Sequence, residues 1–296
     1  MTLAPIRERV KGPPVVATAL PARPAARTRR RAVPCPVAAA PHPLAGIAAG
    51  SEFPAPLDRF RHLMDLTLGT LGLYAALTTL VAAMGPALAL AFEPTDWSVG
   101  MADALAAGMM LGIAYPLMRA GLDGGAVTAT IAGGAAVVIL LLLHIAFRLD
   151  ERARPTPSGA LLAATLHSAP EGLALGVAAA VEPRLGIAVA LTLALHNVGE
   201  ALVLSAHLSG RAAPRWRVLA SVVSNLPQFV LALAGFATAT ATPALRPALL
   251  GVSAAALVYL ALADLLPDGY RVAGRTALSV TVIAATALVA FAVTLP

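Results

Sequence analysis

The sequence predicts an all-α polytopic membrane protein, with eight transmembrane helices in a compact bundle and a disordered N-terminal tail. Three observations predict it. Of the 296 residues, 58% are hydrophobic and only 12% are charged, about half of the roughly 25% charge that a soluble domain carries. Apolar runs of about 20 residues, the length that crosses roughly 30 Å of hydrocarbon, recur along most of the chain. Ala, Leu, Val and Gly dominate while aromatics make up 4%, and small residues let membrane helices approach closely.

Residues 1–62 are rich in Pro, Ala and Arg, with the run RTRRR at Arg27–Arg31. Such a segment cannot bury enough apolar surface to order itself and reads as a disordered tail. A polybasic or transit-like role fits it, and so does a true start at Met64. The membrane domain then covers 63–296. Its spans fall at 66–92, 100–119, 125–147, 158–181, 185–208, 216–240, 247–267 and 276–295. Between them stand EPTDW, RAGLDGG, RLDERARPTP, VEPR, SGRAAPR, TPALRP and DGYRVAGR, the turn and charge punctuation expected between membrane segments.

These separators exclude several classes. None can hold a soluble nucleotide-binding domain, and GxxxxGK[ST] is absent from the sequence, which argues against direct ATP coupling. The single cysteine, Cys35, rules out an internal disulfide and a cysteine-ligated cluster. The net charge of +6 is dominated by the tail, where ten of the 21 Lys and Arg lie within residues 1–61; nucleic acid is not an expected partner. Loops after spans 1, 3, 5 and 7, with their flanks, hold Arg148, Arg152, Arg154, Arg211, Arg215, Arg217, Arg271 and Arg275, against Arg119, Arg184 and Arg246 on the other side. The positive-inside rule puts the first set in the cytoplasm; the basic tail argues the opposite way.

Two spans echo each other at an offset of 29. Leu166, His167, Ser168, Pro170, Glu171 and Leu173 align with Leu195, His196, Asn197, Gly199, Glu200 and Leu202. Each span therefore carries H-x-x-x-E near the bilayer midplane. Residues i and i+4 share one helix face, so an imidazole nitrogen and a carboxylate oxygen can converge on one ion at about 2.0–2.2 Å. An ionised acid at mid-membrane costs at least about 2.5–3.5 kcal/mol, and two glutamates repel. A divalent cation answers both problems. A polar cluster that glues the helices remains the plainer reading of a single pair; the repeat favours metal or proton chemistry. Pro170 removes the amide that would pair with the Leu166 carbonyl, which fits a local kink or ordinary helix packing. His144 and His207 read as interfacial or hydrogen-bonded histidines, and His42 and His62 lie in or beside the tail.

HSAPEG (His167–Gly172) and HNVGEA (His196–Ala201), with LAAGMMLG (Leu105–Gly112) and ALADLLPDG (Ala261–Gly269), resemble the ZIP family of divalent metal transporters over most of 64–296. The resemblance implies a transport site of His167, Glu171, His196 and Glu200, with Met110 adding a thioether, a soft ligand suited to zinc and late transition metals. Met109 and Met110 also read as plain core. Asp264 would lie on the inner exit path. Asp123, placed near the outer mouth by the resemblance, reads as an exposed loop charge. The positions of a second family site read Ser168, Asn197 and Gln228 here, so Asn197 and Gln228 are expected as weak auxiliary ligands at most.

The expected function is transport of divalent transition metal, Zn²⁺ foremost, into the cytoplasm by alternating access at a midplane site. Fe²⁺, Mn²⁺, Co²⁺, Ni²⁺ and Cd²⁺ remain open, because N/O ligands discriminate weakly among them. The expected partners are the metal ion and the lipid bilayer, in a multi-pass cell membrane setting suggested as the bacterial inner membrane by composition; a homodimer rests on the resemblance alone. A metal-binding membrane protein that does not transport, and a proton-coupled carrier of another solute, are the alternatives. An intramembrane metalloprotease would want H-E-x-x-H, which neither motif supplies, so no enzyme is expected.

Overall fold

A computed structural model of the protein describes residues 67–146 and 156–294. The expected tail at 1–62, with Cys35, His42 and His62, lies outside the described residues, as do Met64, Arg148, Arg152 and Arg154. Among the described residues the regular structure is helical throughout. In chain order the helices are α1 (Leu68–Val81), α2 (Met84–Phe92), α3 (Asp96–Ala146), α4 (Pro157–Val181), α5 (Pro183–His207), α6 (Pro214–Ser224), α7 (Leu226–Ala241), α8 (Arg246–Leu260), α9 (Leu266–Val272) and α10 (Arg275–Thr294). A 3₁₀ turn, Pro243–Leu245, precedes α8, and a π turn, Ala261–Leu265, joins α8 to α9.

Seven of the continuous stretches among the described residues are long and apolar enough to cross a membrane. The longest is α3, at 51 residues, about 76 Å if straight at 1.5 Å per residue, far more than one crossing needs. It is not straight. Gly125 leaves helical geometry (φ 171°, ψ 83°), and a methyl group at Gly121 would stand 3.4 Å from the Ala129 Cβ. Residues eight apart lie about 12 Å apart along a regular helix, so the chain doubles back at the glycine pair. The two limbs of α3 correspond to the second and third expected spans, with the divide at 125 where RAGLDGG places it.

Proline sets the other interruptions. The ring of Pro86 crowds the carbonyl four residues back, and the first span divides at Ala82–Ala83. Pro227 stands in the first turn of α7, and the sixth span divides at Asn225. Asn225 Nδ2 donates to the Ser221 carbonyl at 2.9 Å, which satisfies one of the carbonyls left open at a helix end. The α4 helix starts on Thr156, whose Oγ1 accepts from Gly159 N at 3.1 Å, with Pro157 in the first turn, a pre-organised helix opening. It continues as helix through Pro170.

Glycine pairs four residues apart bring these helices together. Gly172 and Gly176 on α4 lie directly against the backbone of Gln228 and Ala232 on α7; a side chain at either would strike a carbonyl oxygen. Gly108 and Gly112 on the first limb of α3 play the same part against α10, where a Cβ would stand 2.7 Å from the Ala285 Cβ and 2.6 Å from the Val289 Cβ. Thr286 Oγ1 adds a 3.0 Å hydrogen bond to the Gly108 carbonyl. Gly251 of α8 meets Ala129 on the second limb of α3. Such close seams let dispersion and polar contacts hold helices that lipid would otherwise solvate equally well. Outside the seams, large apolar side chains such as Ile131, Leu195, Ile283 and Leu288 are 66–69% exposed, as suits a surface facing hydrocarbon.

Candidate metal centre

The two H-x-x-x-E motifs fall on α4 and α5, and the helical period puts each histidine over its glutamate. The seam between α4 and α7, with α3 and α5 packed on the far side, buries the motif residues. His196 and Glu171 are fully buried, His167 is 2% exposed, and Glu200 has 12% side-chain exposure. Ligand atoms of His167, Glu171 and His196 all lie within 4.8 Å of one another.

Glu171 is the centre of this group. Its Oε1 stands 2.7 Å from His196 Nε2 and 3.6 Å from His167 Nε2. Donors around a tetrahedral zinc, at about 2.0–2.1 Å from the ion, are about 3.3 Å apart. The observed spacings straddle that value, so an ion fits after shifts of a few tenths of an ångström. The imidazole rings of His167 and His196 lie nearly parallel (12°) with centroids 5.9 Å apart. Met110 Sδ lies 3.3 Å from His167 Nε2, and Glu200 Oε2 lies 3.9 Å from His196 Nε2.

The hydrogen bonding around His196 gives this geometry its chemical meaning. Nδ1 of His196 lies 3.3 Å from the Ala106 carbonyl, an acceptor only, so Nδ1 carries a proton and Nε2 is the nitrogen turned to the carboxylate. Nε2 faces a carboxylate oxygen, and this nitrogen and both oxygens of Glu171 are buried without a hydrogen-bond partner. Buried acceptors left so are costly. A cation between them resolves the conflict. A metal-ligating histidine characteristically donates its other N–H to a backbone carbonyl in this way.

The remaining expected residues divide into two groups. Asp264, in the π turn, brings Oδ2 to 3.5 Å from His167 Nδ1, on the ring edge away from Nε2. Asn197 and Gln228 turn toward α1 instead. Asn197 Nδ2 donates to Gln228 Oε1 at 2.8 Å and to the Thr78 carbonyl at 3.0 Å, while Gln228 Nε2 donates to Thr78 Oγ1 at 3.3 Å. These two amides form a neutral clamp joining α1, α5 and α7. Ser168 Oγ donates to the Ser224 carbonyl at 2.7 Å. Asp123 is exposed beside Arg119, at 3.8 Å, which suits a surface charge. His144 packs edge-on to Tyr259 at 6.3 Å.

Two cavities lead away from the cluster. A small one, about 60 Å³, is lined by His167, Glu200, Asp264, Asp103, His207 and Asp268. A larger one, about 510 Å³, continues past Asp103, His207 and Asp268 to Asp96, Arg211 and Arg271. Asp96 follows α2, Arg211 follows α5 and Arg271 lies in α9, so the larger cavity opens on the side bearing the loops after spans 1, 5 and 7. Sequence reasoning missed Asp103, which is 4% exposed. The signal was there: Asp103 and Met110 are seven apart on one helix, hence on one face. His207, read as interfacial, lies along this path, with Nδ1 2.9 Å from the Val203 carbonyl.

Comparison with known proteins gives consistent findings. Residues 157–290 match the ZIP zinc transporter family, a stretch that starts with α4 and takes in both motifs, Gln228 and Asp264. A protein of Arabidopsis thaliana with the provisional description of zinc transporter is 30% identical over 191 residues, which is 60% of this chain and 30% of that protein. The zinc transporter GufA of Myxococcus xanthus is 38% identical over 114 residues, 38% of this chain and 44% of that protein. The matched stretches thus span less than half the length of these relatives.

Proposed function

We propose, from the match of residues 157–290 to the ZIP zinc transporter family, that the chain is a member of that family and carries divalent transition-metal ions, Zn²⁺ foremost, across a membrane through the His167–Glu171–His196 site. The observation that carries this reading is the convergence of three buried ligand atoms from two adjacent helices within 4.8 Å. Two imidazole nitrogens, carboxylate oxygens and a thioether at 3.3 Å make a donor set that suits zinc and its neighbours and serves Mg²⁺ or Ca²⁺ poorly. Glu171 supplies negative charge at the centre. Met110 and Glu200 complete the shell by small side-chain movements. No covalent chemistry is needed, and the role is that of a carrier, not an enzyme.

The cavities support a direction. The site communicates with the side that the short-loop arginines assign to the cytoplasm, through a passage lined by Asp103, Asp264 and Asp268. Carboxylates along that path pass a divalent ion from the nitrogen-rich site to water. The passage supports reading this form as a carrier open inward, which would close this passage and open the opposite one to load, as alternating access requires.

The experiment is flux into proteoliposomes that contain the purified full chain and a zinc-sensitive dye. Zinc-dependent fluorescence is expected with the wild type, and its loss is expected in Glu171→Ala and in His196→Ala at equal protein incorporation. Normal flux in both variants overturns the assignment of the site. Zinc binding with no flux in the wild type overturns transport and leaves a metal-binding membrane protein.

A further inference from the structure

Asp264 was expected as an ion ligand on the exit path, but it meets His167 at the nitrogen that does not face the site. Nε2 of that ring points to Glu171 (3.6 Å) and Met110 (3.3 Å); Nδ1 points to Asp264 Oδ2 (3.5 Å). We propose that Asp264 is a positioning residue: its carboxylate accepts the Nδ1 proton of His167, and so fixes the ring and presents an unprotonated Nε2 to the ion. The proposal rests on the transport-site reading above and deepens it.

Three observations bear on it. The first is the parallel with His196, whose Nδ1 is held by the Ala106 carbonyl while its Nε2 faces Glu171. The two rings are nearly parallel, so both histidines are presented the same way, one by a backbone oxygen and one by a carboxylate. The second is the location of Asp264 in the π turn Ala261–Leu265. Wide turns of this kind occur mostly at functional positions, and here the turn carries Leu262 outward at 54% exposure and Asp264 inward at 14%. The third is the burial of this carboxylate, 14% exposed within the helix bundle, which is costly in a membrane-spanning protein and which a role at the ring of His167 explains. At 3.5 Å the pair is longer than an ordinary N–H···O hydrogen bond. An ion on Nε2 makes Nδ1–H a stronger donor and draws the pair together.

The test reads the tautomer directly. Purified full-length protein, metal-free and labelled with ¹⁵N-histidine, is examined by NMR in micelles, with the His167 signals identified by their loss in His167→Gln. The wild type is expected to show a protonated Nδ1 and a bare Nε2. Asp264→Leu, close in shape and at ease in a membrane helix, is expected to shift His167 to mixed tautomers and to weaken zinc binding by calorimetry about 10–100-fold. Asp264→Asn, whose amide oxygen still accepts from Nδ1, is expected to keep the tautomer and most of the affinity. If Asp264→Leu leaves the His167 tautomer unchanged, the proposal is overturned, and a loss of affinity in that case marks Asp264 as a direct ligand. A wild type that binds no zinc overturns the transport-site reading itself, a separate outcome.

Discussion

His196 meets its surroundings at both ring nitrogens, and the two contacts differ in kind. The Ala106 carbonyl accepts from one nitrogen; the other faces a Glu171 carboxylate oxygen at 2.7 Å. Proton and metal compete for that second nitrogen. Zinc affinity is therefore expected to fall as pH drops, and calorimetry over a series of pH values checks it. The sign follows from the ligands: histidine and glutamate both bind metal as bases, so acid always favours the empty site. Met110 permits a cleaner test, since Met110→Leu conserves volume and typically costs less than about 1.5 kcal/mol in packing. Weaker cadmium and zinc binding with unchanged folding is the expected result; unchanged cadmium affinity returns Met110 to the core. Gln228 has its oxygen and nitrogen engaged by Asn197 and Thr78, so calorimetry is expected to find one tight zinc per chain, a number that Gln228→Ala does not change.

At the scale of elements, the paired histidine–glutamate motifs were legible because i,i+4 spacing has one meaning on a helix. The eight spans were legible from length and hydropathy, with each divide near a proline or glycine. The interruptions at Ala82–Ala83 and Asn225 were not, although Pro86 and Pro227 stand in the sequence, because a membrane helix can absorb a proline without breaking, as α4 does at Pro170. Asp103 escaped notice because one acid at a helix start usually marks an interface, and only the packing of α3 against α5 and α9 makes it line a passage. The turn of Asn197 and Gln228 toward Thr78 was also invisible, since it depends on where α1 lies. The glycine seam on α4 sets an element-scale prediction. Gly172→Leu would place a side chain in the backbone of Gln228, and such overpacking costs about 1–3 kcal/mol or more. A lowered thermal midpoint in detergent and lost zinc flux are expected, with a milder effect at Gly199, where the nearest atom stands 3.6 Å from an added Cβ.

Across the whole molecule, the tight seams sort the helices into two groups. Glycines 172 and 176 tie α4 to α7, while Gly108, Gly112 and Gly251 tie α3 to α10 and α8. Backbones in such close contact leave little slack to slide, so under the proposed alternating access each group is expected to move as one piece. The donors, however, straddle the divide: His167 and Glu171 ride with the first piece, Met110 and the Asp264 turn with the second. Under that proposed mechanism, a tilt of one against the other would pull thioether and aspartate away from His167, coupling opening of the far mouth to a loosened grip. Paired cysteines that lock α4 to α7 should leave turnover untouched, and a lock between α4 and α3 should freeze it.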